Sequence, residues 1–143
     1  MSLIARLEKS QFLHFAIVGG TGFFVNEAVL FVFIKMLHLN AYVAGGLAFL
    51  VTVTYTWTGN RLLTFRGEAA TGARGMALEW VKFVGANLLG FVANYSTYSA
   101  LVMFARAPLN SPYLALACGT LVGLVFNFTL SKRLVFRDTH PLS

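Results

Sequence analysis

The residues of this chain that could do chemistry are bases and amides, and both recur. Asn60-Arg61-Leu62-Leu63-Thr64-Phe65-Arg66 closes one long apolar run. Ser131-Lys132-Arg133-Leu134-Val135-Phe136-Arg137 closes another near the C-terminus. A guanidinium grips a phosphate through paired N–H bonds, and an ammonium attracts it as a point charge. A base followed by an aromatic at headgroup depth therefore suits a phosphate carried on a lipid, with Lys82, Arg66 and Arg137 as further cations of the same rim. The plainer account is that bases there set topology and attract anionic lipid headgroups, worth about 1 kcal/mol per base near the surface. That accounts for their number but not for the recurrence of the pattern.

The amides lie deeper. Gly19, Gly22 and Asn26 share one helical face, as do Asn87, Gly90 and Asn94, and Gly119, Gly123 and Asn127. Ala48, Thr52 and Thr56 complete the set in the second apolar run. Small residues let helices approach in lipid, and amides bond across the contact. The stripes are either packing seams or the lining of a polar interior able to hold hydroxyl groups. Glu27 stands beside Asn26 in mid-span, where an ionised carboxylate costs on the order of 2.5–3.5 kcal/mol and needs a partner, a proton or water. It is either a coupling or substrate-binding carboxyl, or a structural acid. Lys35, eight residues on, is about 12 Å away along a helix and can reach the outer headgroups. No metal-ligand spacing, nucleotide loop or nucleophile–base pair appears, so neither enzymatic activity nor a cofactor is expected.

These groups need elements to hold them. The chain has 143 residues, 57% hydrophobic and 11% charged, with formal net charge +6, which is the composition of an integral membrane protein. The single Cys118 forms no intramolecular disulfide. The bases have no polar domain to sit on, so anionic lipid, not nucleic acid, is the expected partner.

Two copies of one unit account for the pattern. Phe12-Leu13-His14-Phe15 aligns with Trp80-Val81-Lys82-Phe83, Gly22-Phe23 with Gly90-Phe91, and Asn26 with Asn94. At Glu27 the alignment breaks, because its counterpart is Tyr95. Apolar spans are expected at about 12–37, 41–57, 78–104 and 113–130, joined by turns at 38–40 and 106–112. The stretch 67–77 is small and polar and reads as a flexible loop, and residues 1–11 as a retained cytoplasmic lead-in. Arg6, Lys9, Arg61, Arg66, Arg74, Lys82, Lys132, Arg133 and Arg137 fall on one side, against Lys35 and Arg106 on the other. The positive-inside rule then puts both termini in the cytoplasm. The expected architecture is an all-α integral membrane fold of four transmembrane helices in one domain. It is built from two parallel two-helix repeats, 12–66 and 80–137, joined by a cytoplasmic loop at 67–79.

Phe-Ala-Ile-Val-Gly-Gly at 15–20, Asn60-Arg61-x-x-Thr64-Phe65, and Asn127-Phe128-x-x-Ser131-Lys132-x-x-Val135-Phe136 resemble the GtrA family over residues 12–137. That resemblance implies a small four-span protein of the inner membrane, working beside a membrane glycosyltransferase in cell-surface polysaccharide assembly, including O-antigen decoration. It implies flipping of a polyprenyl-phosphate-linked monosaccharide from the cytoplasmic to the outer leaflet. It marks Asn60, Arg61, Phe65, Asn127, Ser131, Lys132 and Phe136, with Asn26 and Glu27 filling a polar place usual in the first span. His14 departs from the Lys or Arg usual before the Phe.

On this reading Arg61 and Lys132, assisted by Lys82, Arg66 and Arg137, capture the phosphate. Asn26, Asn87, Asn94 and Asn127 meet sugar hydroxyls in place of water. Four helices enclose little volume, which favours a homodimer or a lipid-exposed groove over a closed channel. Two rivals stand beside it: a non-transporting scaffold for a glycosyltransferase, and a small four-helix multidrug exporter with a first-span glutamate.

Overall fold

The computed structural model describes residues 3–136 and is helical throughout, apart from short connections. Arg137, expected at the phosphate rim, lies outside the described residues. The helices are α1 (Leu3–Phe31), α2 (Ala41–Gly59), α3 (Gly72–Phe104) and α4 (Pro112–Leu130). Three five-residue π-helical segments follow α1, α2 and α4, at Val32–Met36, Asn60–Thr64 and Ser131–Val135. The chain divides into two compact units, Met1–Ala69 and Ala70–Ser143.

Among the described residues, three stretches are long and apolar enough to cross a membrane: Arg6–Met36, Gly72–Phe104 and Pro112–Val135. The protein is thus a multi-pass membrane protein. α2 is a 19-residue helix that carries threonines at 52, 54, 56 and 58. Their hydroxyls turn inward on the chain: Thr54, Thr56 and Thr58 each donate to the carbonyl four residues back, at 2.8, 3.0 and 2.9 Å. Satisfied this way, a hydroxyl can sit on an apolar helix surface without water.

The two ends of α2 show why it starts and stops. His38 takes a left-handed φ of 53°, which reverses the chain after α1. Asn40 then caps α2, its side chain accepting from Val43 N at 2.9 Å. α4 opens with Pro112 in its first turn, where a missing N–H costs nothing.

α3 begins earlier than expected. Gly72 to Ala77, taken above as loop, is its first turn and a half, so the connection between the units shrinks to a few residues around Gly67–Thr71. At 33 residues α3 is about 50 Å long, well beyond the ~30 Å hydrocarbon core, so one or both of its ends project.

Within each unit small residues face inward and large ones outward. Ala44, Ala48, Ala86 and Ala115 are buried, while Phe24, Tyr42, Phe104 and Tyr113 are exposed. This inverts the pattern of a soluble bundle and matches helices that pack backbone to backbone in lipid. The large side chains that are fully buried sit at the closures: Phe65 in the first unit, Phe83 and Phe136 in the second.

Candidate functional site

Each closure is built on a wide helical turn. Phe65 N donates to Asn60 O at 2.8 Å, and Phe136 N to Ser131 O at 3.0 Å, so both bonds skip one residue more than in an α-helix. The extra residue brings the closing phenylalanine back onto the preceding helix pair. Phe65 meets Phe15 edge-on, with centroids 6.3 Å apart and planes at 67°. Phe136 meets Phe83 at 6.2 Å and 66°. The aligned phenylalanines of the sequence therefore make the same contact in each unit, of a geometry worth about 0.5–1.5 kcal/mol beyond burial.

The wide turn also sets the bases. The Arg61 guanidinium lies 5.7 Å from the Trp57 ring centroid, and the Lys132 ammonium 6.0 Å from that of Phe128. Both are half-buried, and in both units a base rests over the aromatic four residues before it. Arg66 is exposed, with its Nε donating to Leu62 O. Asn60 is buried and accepts from Thr64 Oγ1 at 2.8 Å. Ser131, also buried, donates to Asn127 Oδ1 at 3.4 Å.

The amides are drawn into bonds between helices. Asn127 Nδ2 donates to Asn87 Oδ1 at 3.0 Å, and Asn87 Nδ2 to Phe83 O at 2.9 Å. Ser131, Asn127 and Asn87 thus form one relay from the closure of α4 to the backbone of α3. In the first unit Thr52 Oγ1 donates to Asn26 Oδ1 at 3.2 Å, and Tyr55 OH to Thr21 Oγ1 at 3.2 Å. Asn94 packs in the α3–α4 seam, where a Cβ on Gly119 would lie 2.8 Å from its Oδ1. Glu27 is brought to none of these groups and lies exposed on α1.

The sequence reading passed over two polar contacts. Glu79, inside α3 and only 2% exposed, accepts from Ala70 N at 2.6 Å. In the first unit its aligned residue, Gln11, donates through Nε2 to Glu68 Oε1 at 3.1 Å. The signal was present in the repeat itself, since aligning Phe12 with Trp80 also aligns Gln11 with Glu79. Lys82, half-buried, lies one turn beyond Glu79 and lines cavities on two sides.

The fold and the paired closures define an all-helical, multi-pass membrane protein whose helix ends carry matched cation–aromatic rims. The chain belongs to the GtrA/DPMS transmembrane domain family, whose model matches residues 14–136. Membership suggests a role in polyprenyl-phosphate sugar translocation or glycosylation. No curated protein and no solved structure gives a significant match.

Proposed function

We propose that the chain carries a polyprenyl-phosphate-linked monosaccharide across the inner membrane, from the cytoplasmic to the outer leaflet, for cell-surface polysaccharide glycosylation. α1 to α4 each cross the bilayer, the two units are parallel repeats, and both termini are cytoplasmic. The chain is not itself an enzyme; a membrane glycosyltransferase is its partner. The carrying observation is the repeated closure, a half-buried base over an aromatic on a wide turn in each unit. A cation held at the end of a membrane helix by an aromatic is ready for a phosphate at headgroup depth, and it is desolvated only in part beforehand. Glu27, exposed on a membrane-spanning helix, fits a proton or hydroxyl acceptor that meets its partner during transport.

The test is flip-flop of a labelled polyprenyl-phosphate monosaccharide in proteoliposomes. Wild type is expected to accelerate movement over protein-free vesicles, and Arg61→Ala with Lys132→Ala to remove most of that acceleration. No acceleration from folded protein, with several sugars tried, would leave the scaffold reading in its place.

A further inference from the structure

The second unit holds two cavities that share one side chain. The first, of about 230 Å³, has a mixed polar and apolar lining that includes Thr71, Gly75, Leu78, Glu79, Lys82 and Val135. The second, of about 370 Å³, is lined by Gly85, Ala86, Leu89, Leu130 and Leu134, with Lys82 as its one charged residue. Lys82 therefore stands where a chamber of mixed lining, the one that contains Glu79, meets an apolar groove between α3 and the C-terminal end of α4.

Each part selects a different piece of a ligand. The groove offers aliphatic surface and two residues without bulk, Gly85 and Ala86, so a hydrocarbon chain can lie against the helix backbone. Lys82 offers a point charge for an anion at the junction. The chamber offers a carboxylate, buried and oriented by its bond from Ala70 N, and carboxylates accept strongly from hydroxyl groups. At about 230 Å³ it falls below the usual size range of drug-sized sites, on the scale of one small polar group. Hydroxyls, then an anion, then an aliphatic tail describe a lipid phosphate that bears a single sugar.

The first unit is built differently at the aligned positions. There Gln11 stands for Glu79 and is bonded to Glu68, and His14 stands for Lys82 and lies exposed, with Nδ1 3.4 Å from Ser10 Oγ. The carboxylate of this unit comes from the turn after α2 and is bonded to Gln11, and its aligned cation is replaced by an imidazole.

We infer that the second unit alone contains the binding site for the glycosylated lipid, with the sugar against Glu79, the phosphate at Lys82 and the start of the polyprenyl chain in the Ala86–Leu134 groove. This deepens the proposed function and rests on it for the substrate class. Arg61 then serves arrival at the membrane surface, not selection of the sugar.

The experiment measures equilibrium binding to the full chain in nanodiscs with three probes. These are a polyprenyl-phosphate monosaccharide (glucosyl, mannosyl and N-acetylglucosaminyl forms), bare polyprenyl phosphate and hexose 1-phosphate. Wild type is expected to bind one glycosylated lipid about tenfold more tightly than the bare lipid, the size of one charge-assisted hydrogen bond. Glu79→Gln should abolish that preference and keep binding of the bare lipid. Thr71→Trp, which fills the chamber from an exposed position, should do the same without touching the buried carboxylate. Leu134→Trp, also at an exposed position, should weaken both lipids and spare hexose phosphate, while Lys82→Met should weaken all three. A preference that survives Thr71→Trp, or no preference for any of the sugars, overturns the site. Hexose phosphate bound as tightly as the lipid overturns the lipid assignment in favour of a soluble sugar phosphate. Binding that follows the expected pattern in a protein that does not flip lipid retains this site and removes the transport reading. Flipping untouched by Thr71→Trp and Leu134→Trp does the reverse.

Discussion

In the first unit α1 and α2 meet through glycines set against side chains. A Cβ on Gly22 would lie 2.5 Å from Thr56 Cγ2, and one on Gly59 would lie 2.9 Å from Val18 Cγ1. In the second unit glycines meet backbone and the asparagine Cβ atoms fixed to it. A Cβ on Gly123 would lie 2.9 Å from Gly90 O, and one on Gly90 would lie 3.2 Å from Gly123 O. The α3–α4 pair is thus drawn close at its centre and braced by the Ser131–Asn127–Asn87 relay. The α1–α2 pair is held by the side-chain methyls of Thr56 and Val18 and by single hydroxyl bonds. The same closure caps both, so the difference lies in the shafts. One hairpin packs backbone to backbone at its centre and the other side chain to backbone, and it is the first kind that carries the two cavities around Lys82 and the second that carries the exposed acid Glu27.

Four substitution pairs test this contrast, each read as the loss of unfolding free energy of the purified protein in a mild detergent titrated with denaturing detergent. The largest effect should be shared: Phe65→Ala and Phe136→Ala each remove a fully buried ring and should cost about 3–5 kcal/mol. A large gap between them would break the equivalence of the closures. Glycine substitutions should separate the units. Gly123→Ala drives a methyl between the Asn94 Cβ and the Gly90 carbonyl, both fixed by backbone, and should cost about 2–3 kcal/mol, while Gly59→Ala meets only the side chain of Val18 and should cost about 1 kcal/mol. Equal costs would mean that the shafts are equally rigid. Asn127→Ala leaves Asn87 and Ser131 without the bonds they make to it and should cost about 1–2 kcal/mol, against about 0.6 kcal/mol for Asn26→Ala. The smallest effects should again be common: Arg61→Gln and Lys132→Gln each lose one cation–aromatic contact, about 0.5–1 kcal/mol. A larger stability loss at either base would point to a structural role for it.

Much of this architecture was legible because it is written in composition. Apolar runs located α1, α3 and α4, and the bases with their phenylalanines located both closures. The start of α3 was not, because Gly72-Ala73-Arg74-Gly75 has the composition of a loop. What holds it as helix includes Glu79, which reaches back to Ala70 N across nine residues. The asparagines were visible as polar intruders, but their partners depend on the rotational phase of two helices, which periodicity within one helix does not contain. The wide turns were hidden for a similar reason: the bond from Phe65 N to Asn60 O forms as the ring is drawn against Phe15, a residue 50 positions away. Glu79 looked like an ordinary interface charge, while Lys82 was legible as a cation of the phosphate rim but not as the residue that two cavities share.

The side-chain bonds between distant segments described here all begin and end inside one unit: Asn26 with Thr52, Tyr55 with Thr21 and Gln11 with Glu68 in the first, Asn127 with Asn87 in the second. This bears on how the molecule is made. During synthesis the first hairpin can match these polar groups and seat its closing ring with no contribution from the second unit. A chain ending at residue 69 should therefore already resist extraction and proteolysis.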